Sequence, residues 1–264
     1  MPKDPRVVRL MREYKAALLR READQMREMG ARWVLFERQL DREMQGLAEE
    51  IARTATAGTT MTARQIERLD RYQRLKAQTM RQVQGYQAWA DSYVARGQTE
   101  MLDLGARQAA DAIQAAGVRG GFNRINASAL EFMVGLCRDG SPLFDVLKKR
   151  ALSPDAVHGL TDELVKATGL GWNPRKTATA MKDGLAQGLD KALQIARTEQ
   201  FRAYRFASDE EYRASGVVVS KRRLAAKDGR TCAACLAQDG DVIPLGTDMF
   251  DHPEGRCLGV PDIG

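Results

Sequence analysis

The chain has 264 residues and a formal net charge of +6, from 41 lysines and arginines against 35 aspartates and glutamates. This length allows one large domain or two smaller ones, and so small a charge surplus does not identify a nucleic-acid-binding protein by itself. Aromatic residues make up only 6%. Alanine, leucine, methionine, arginine, glutamine and glutamate are abundant, which favours a mainly α-helical fold. No apolar run of about 18 residues and no signal-peptide pattern occurs, so we expect no membrane span and synthesis in a cytoplasm.

Residues 1–120 are predicted to form an extended helical hairpin or arm. Apolar residues recur at helical spacing through residues 5–53, which predicts a first long helix. A capping box of Thr62 and Gln65 starts a second one, which is expected to run to about Ala116. Helices with such narrow apolar stripes usually pack against a partner helix, either in the same chain or in a neighbouring copy.

Residues 121–264 are predicted to form a second, helical domain that ends in a small β-hairpin module. Gly216 is expected to end the last long helix. The segments "VVVSKRRLAA" and "GDVIPLG" after it read as the two strands of the hairpin. Three polar–proline pairs, which suit an N-cap followed by the first helical position, mark earlier helix starts: Ser141–Pro142, Ser153–Pro154 and Asn173–Pro174.

Three of the four cysteines and one of the two histidines lie close together near the C-terminus. Their spacing is Cys232-x2-Cys235-x16-His252-x4-Cys257, and we call these four residues the Cys/His cluster. Two cysteines separated by two residues can reach one metal ion, and a later histidine and cysteine can complete a tetrahedron. Three thiolates and an imidazole suit Zn²⁺. Four protein ligands leave no open position, so the pattern predicts a structural zinc knuckle that stabilises a small region.

Other chemistry remains open for these cysteines. They could form a disulfide with the third thiol left free, stay as reduced thiols, or form a redox pair, although no βαβ pattern precedes Cys232. Cys137 is interpreted as a small buried hydrophobic residue.

The sequence does not indicate an enzyme. It has no His-Glu-x-x-His, phosphate-binding loop or nucleophile elbow. Glu199 is expected to pair with Arg197 or with a basic residue of the hairpin rather than to act as a general base.

The C-terminal stretch resembles the signature of a known family. "DGRTCAACLAQDG", followed by "HPEGRC" and "VP", is similar to the C-terminal pattern of the phage head morphogenesis (MuF-type) minor capsid proteins. That pattern reads Asp-x-Arg-Thr-Cys-x-x-Cys-x-x-x-Asp-Gly, then His-Pro-x-Cys-Arg-Cys and a nearby proline. "IARTEQFRAYRFA", "SPLFDVL" and "GLGWNPRKTA" also fit the family, so the resemblance spans roughly residues 125–262. The matching signature positions are Asp228, Arg230, Thr231, Cys232, Cys235, Asp239, Gly240, His252, Pro253, Arg256, Cys257 and Pro261.

The resemblance implies a structural minor head protein of a tailed phage rather than an enzyme. Such a protein would associate with the portal protein during procapsid assembly and influence DNA packaging or ejection. It would be assembled in the host cytoplasm and reside in the virion head near the portal vertex. Scaffold, major capsid protein, neighbouring copies of the chain and phage DNA are further possible partners. In one departure, this chain has Gly255 where the family commonly has a cysteine, which leaves Cys257 as the fourth ligand.

A zinc-knuckle nucleic-acid-binding protein is the alternative. Five basic residues close to the cluster are available to contact phosphates, but aromatic residues for base stacking are scarce there. The basic residues are Lys221, Arg222, Arg223, Lys227 and Arg230.

Overall fold

The computed structural model describes residues 5–54, 61–118, 133–151, 163, 166–167, 172–249 and 251–263. Within them the chain is mainly α-helical, as predicted, with a small three-stranded antiparallel sheet near the C-terminus. The elements in chain order are α1 (Pro5–Thr54), α2 (Ala63–Ile66), α3 (Asp70–Ala115), α4 (Leu143–Val146), a π-helical turn (Leu147–Ala151), α5 (Pro174–Ser215), β1 (Val218–Leu224), α6 (Ala233–Ala237), β2 (Val242–Pro244) and β3 (Leu258–Ile263).

The predicted helix start at Ser153–Pro154 lies outside the described residues. None of the described helices has both the length and the hydrophobicity needed to span a lipid bilayer.

Two sets of capping hydrogen bonds and one backbone angle agree with predicted helix boundaries. The backbone N–H of Thr62 donates to Oε1 of Gln65 at 2.8 Å, and the Gln65 N–H lies 3.4 Å from Oγ1 of Thr62, which forms the capping box. Asn173 Oδ1 caps α5 by accepting a backbone N–H three residues later at 2.9 Å. Gly216 ends α5 with a φ of +66°. The capping box opens only the short α2, however, because α3 begins separately at Asp70.

The described residues pack as two compact units, each assembled from separate parts of the sequence. Unit 1 draws on Met1–Met26, Ser92–Leu143 and Gln194–Gly264, and unit 2 on Arg27–Asp91 and Phe144–Leu193. The predicted boundary at residue 120 lies outside the described residues. The role of residues 1–120 as one arm stays a prediction.

The core of unit 1 joins the sheet to three helices. Leu18 of α1, Leu102 of α3 and Phe201 of α5 are buried in one apolar cluster with Leu258, the first residue of β3. Tyr204 belongs to the same cluster, and its hydroxyl donates to Oε1 of Gln108 at 2.8 Å. This packing anchors the C-terminal strand to the helical core.

Gly105 marks a close approach of α3 to α5 in unit 1. A Cβ at Gly105 would lie 2.4 Å from the carbonyl oxygen of Tyr204 and 3.1 Å from Cβ of Ala207. Backbone cannot move aside as a side chain can, so we expect Gly105→Ala to lower the free energy of unfolding by about 1–3 kcal/mol, as overpacking does. Gly97→Ala is the matched control in the same helix, because its Cβ would meet only the side-chain end of Gln200. Urea denaturation of both variants checks the prediction, and equal stability would contradict it.

Unit 2 has an aromatic core, and part of it comes from the apolar residues predicted to line one face of α1. Trp33 lies 4.6 Å from Phe36 and 4.9 Å from Tyr86 of α3, measured between ring centroids. The Tyr86 hydroxyl donates to the carbonyl oxygen of Met29 at 3.2 Å. Trp33, Phe36 and Met29 are all buried, which confirms the predicted apolar face over this part of α1.

The sheet has the order β2-β1-β3, with both pairs antiparallel. The predicted hairpin of β1 and β2 is present, and Lys221 in the centre of β1 lies opposite Ile243. A third strand, β3, was not predicted, and it places Pro261 opposite Lys221 on the other side. We use "C-terminal module" for β1, α6, β2, β3 and their connections, residues 217–249 and 251–263.

Candidate metal centre

The segment before Cys232 is a tight turn held by Asp228. The Asp228 carboxylate accepts hydrogen bonds from the Arg230 backbone N–H and the Thr231 hydroxyl, each at 3.0 Å. Arg256 binds the same carboxylate with two nitrogens, one of them 2.8 Å from Oδ1. These hydrogen bonds, the strongest being those from Arg256, lower the pKa of Asp228 well below its usual range. The turn therefore ties the Cys-x-x-Cys segment to the loop that carries Cys257.

Three of the predicted ligands already converge. Sγ of Cys232 and Sγ of Cys235 each lie 3.3 Å from Nε2 of His252. Cys232 is the N-cap of α6, and its sulfur accepts the backbone N–H of Cys235 at 3.3 Å. These ligand atoms lie within 4.8 Å of one another, which is close enough for one ion to contact them all.

Cys257 belongs to a second group that overlaps the first. Its sulfur, Sγ of Cys235 and a carboxylate oxygen of Asp251 also lie within 4.8 Å of one another. Cys235 is common to both groups, so the four residues of the Cys/His cluster form one continuous set of donors. The cluster could therefore hold a metal ion.

The ring of His252 is oriented by its own backbone neighbour. Nδ1 lies 2.6 Å from the carbonyl oxygen of Pro253, and only a protonated nitrogen can donate to a carbonyl. This contact raises the pKa of His252. With the proton on Nδ1, the neutral ring directs the lone pair of Nε2 at Cys232 and Cys235, as a metal-binding histidine does.

The two thiols of the Cys-x-x-Cys segment have pKa shifts in opposite directions. Burial, together with the neighbouring thiols of Cys257 and Cys232, raises the pKa of Cys235 to about 12. The backbone N–H of Cys235 lowers the pKa of the exposed Cys232. Since a bound metal ion offsets both burial and the repulsion between thiolates, it would stabilise all three sulfurs as ligands.

Three basic side chains with little exposed surface lie near Cys257. Burial lowers the pKa of Lys15 to about 8 and also lowers that of Arg205, and in both cases Cys257 acts in the opposite direction. The hydrogen bond to Asp228 raises the pKa of Arg256, to which Cys257 adds, and Nζ of Lys15 donates to the carbonyl oxygen of Leu224. A zinc ion with three thiolates and one imidazole carries a net charge of −1. The cations compensate for such a charge inside the protein.

Asp251 was not predicted as part of the site. Its side chain is only 1% exposed, and its Oδ1 lies 3.8 Å from Sγ of Cys235. The only sequence signal was an acidic residue directly before His252. The spacing of cysteines and histidine carries no information about this carboxylate.

The basic residues near the cluster are bound to acidic partners within the chain. Lys221 and Arg223 are buried, whereas Lys227 and Arg230 keep about half of their side-chain surface exposed. The pairs are Lys221 with Asp209, Arg222 with Asp262, Arg223 with Asp251, Lys227 with Asp239, and Arg230 with Glu22.

The expected partner of Glu199 was wrong. Glu199 binds Arg202 at 2.6 Å, three residues along α5. Arg197 instead contacts Glu22 and Glu254, each at 2.5 Å. Arg197 therefore connects α1 to the loop before Cys257, and Glu199 is occupied within its own helix.

Comparisons of the chain with protein-family models, with curated proteins and with solved structures found no match. The functional argument therefore depends on the residues and motifs of the chain itself.

Proposed function

We propose that the Cys/His cluster is a closed structural zinc site in a minor head protein of a tailed phage that acts at the portal. The observation that carries the proposal is that the motif residues make contacts within the C-terminal module. Asp228 binds Arg256, Asp239 accepts the Ala225 backbone N–H at 2.8 Å, and Gly240 has a φ of +93°. These contacts support a structural role for the motif in the C-terminal module.

Zinc is the metal that these donors favour. Three thiolates and an imidazole are a typical structural zinc set, whereas Mg²⁺ and Ca²⁺ prefer oxygen. All four predicted positions would be filled by protein, so no coordination site is left for a substrate. The residues that would hold the ion are Cys232, Cys235, His252 and Cys257. Its contribution would be to fix α6 and the His252–Cys257 loop against the sheet.

The role in the phage head comes from the resemblance. The signature positions belong to the C-terminal module, whose β3 packs into the core of unit 1 through Leu258. The proposal is a structural protein that associates with portal during procapsid assembly and influences DNA packaging or ejection. Scaffold, major capsid protein and further copies of the chain are secondary partners.

The nucleic-acid alternative depends on the basic residues beside the cluster. Each of those five side chains has an acidic partner within the chain. Neutralised pairs attract phosphates less than free cations do, and Lys221 and Arg223 are buried as well. This arrangement favours the head-protein proposal over a DNA-binding knuckle.

The portal association predicts a direct sedimentation result. The full chain, mixed with portal rings from the same phage, should move with the rings in a sucrose gradient. An unrelated ring of similar mass serves as the control and should not carry the chain. The same preparation is tested for DNA binding at low and high salt. A chain that ignores portal but binds DNA in a strongly salt-dependent way would replace the proposal with the alternative.

A further inference from the structure

The backbone at Gly255 approaches the Asp251 side chain very closely. A Cβ built at Gly255 would lie 2.1 Å from Cγ of Asp251 and 2.3 Å from both carboxylate oxygens. The Asp251 carboxylate thus fills the space that a side chain at position 255 would take. Any side chain at position 255 would therefore require the Asp251 carboxylate to move.

The Asp251 carboxylate also binds both ends of the ligand loop. Oδ1 accepts the backbone N–H of His252 at 3.2 Å, and Oδ2 accepts that of Cys257 at 3.2 Å. The two hydrogen bonds span the whole segment between the last two predicted ligands. Such a bridge fixes the distance between them before any metal arrives.

Two arginines hold the carboxylate itself in place. Nη1 of Arg205 lies 3.2 Å from Oδ2 of Asp251, and Nη1 of Arg223 lies 3.6 Å from Oδ1. Arg205 also donates to the carbonyl oxygens of Gly255 and Cys257, at 3.3 and 3.4 Å. Removal of the carboxylate would take its counter-ion from the buried Arg205 and leave two backbone N–H groups without their acceptor.

We propose that Asp251 is the positioning residue of the metal site, replacing the side chain absent at position 255 and aligning His252 with Cys257. The inference builds on the proposed zinc site. A carboxylate oxygen of Asp251 lies within 4.8 Å of the sulfurs of Cys235 and Cys257. We assign Asp251 a positioning role because its oxygens accept the backbone N–H groups of both His252 and Cys257. Neighbouring groups of this kind change metal affinity by about 10–100-fold.

The first test removes the carboxylate. Asp251→Ala and the shape-preserving Asp251→Asn are titrated with Zn²⁺ against a competing chelator and with Co²⁺, whose absorption spectrum reports the number and geometry of bound thiolates. Zinc affinity should fall by about 10–100-fold, and the Co²⁺ bands should shift. Asp241→Ala is the matched control, because Asp241 is exposed on the same module. It should leave both readouts unchanged.

The second test adds a side chain at position 255 and then moves the carboxylate from position 251 to position 255. Gly255→Ala should weaken zinc binding because its methyl group meets Asp251, whereas the control Gly229→Ala should not, since a Cβ there has nothing within 4 Å. In an Asp251→Ala background, Gly255→Asp would return a carboxylate to the same space from the other side of the loop. We expect this double variant to regain part of the zinc affinity and of the wild-type Co²⁺ spectrum.

The outcomes separate this inference from the zinc site itself. Wild-type protein that binds neither Zn²⁺ nor Co²⁺ overturns the proposed site. Wild-type protein that binds zinc, with both Asp251 variants binding equally tightly and showing the same Co²⁺ spectrum, overturns the role of Asp251 alone. If Asp251→Ala does not fold, Asp251→Asn and Gly255→Ala decide the question by the same two readouts.

Discussion

Replacing Cys257 by serine should leave the purified protein without zinc and unfold the C-terminal module. Cys257 is buried beside Cys235 and Met249, and a neutral hydroxyl is a poor zinc ligand. Metal binding supplies on the order of 10 kcal/mol in small zinc peptides, which is an upper bound here because Leu258 and the sheet also pack against helices. The zinc content, measured by mass spectrometry, should fall from a single ion per chain to near none.

The same change at Cys137 provides the control. Cys137 is buried as predicted, and it lies outside both donor groups found in the described residues. Cys137→Ser should therefore retain its zinc. A strong chelator added to wild-type protein should cause the same loss of near-UV circular dichroism that we expect for Cys257→Ser. Full zinc occupancy in the Cys257 variant would show that Cys257 is not a ligand.

The helices were predictable because their signals are local. A cap such as Asn173 forms its hydrogen bond within one helical turn. The apolar residues of α1 recur at helical spacing, so they lie on one helix face regardless of which element packs against it. Periodicity does not reveal which partner buries that face. The division of α1, α3 and α5 between two compact units therefore had no counterpart in the sequence pattern.

β3 was missed because its sequence argues against a strand. Leu258–Ile263 is short and contains Pro261, whose missing N–H cannot join a ladder. The strand is tolerated because it lies at the edge of the sheet, where no strand of the described residues pairs with the other side of its backbone. Burial of Leu258 and Val260 against the helices supplies the stabilisation that local propensity lacks.

The spacing of the four candidate ligands could be read from the sequence, but the side chains that lie next to them in the fold could not. Spacing alone brings Cys232 near Cys235, since two intervening residues form a single turn. Lys15 and Arg205 approach Cys257 from residues far away in sequence. Asp251 is close in sequence, yet the packing of its carboxylate against the backbone of Gly255 is seen only in the folded loop.

Lys221→Met should be among the most destabilising single changes in the C-terminal module. Lys221 is 1% exposed in the central strand, and its ammonium binds the Asp209 carboxylate of α5. Methionine fills much of the same volume but leaves Asp209 buried without this partner. Breaking a buried pair from one side costs about 3–5 kcal/mol. Urea denaturation should show this loss in the free energy of unfolding.

Two further measurements tie that loss to the ion pair. The double variant Lys221→Met with Asp209→Leu should recover most of the stability, because no buried charge is left alone. Burial raises the pKa of Asp209 despite the attraction of Lys221, with Arg213 and Asp248 as the other charges nearby. A folded-state pKa above the unfolded value of about 3.9 means that the folded protein binds the proton more tightly. Loss of Lys221 removes an attraction that lowers this pKa, so Asp209 in Lys221→Met is protonated at a higher pH than in wild type. The stability gap between the two proteins should therefore narrow as the pH falls from neutrality towards 4. A gap that stays constant, or a double variant no more stable than the single one, would mean that Lys221 stabilises β1 through its hydrocarbon packing and not through Asp209.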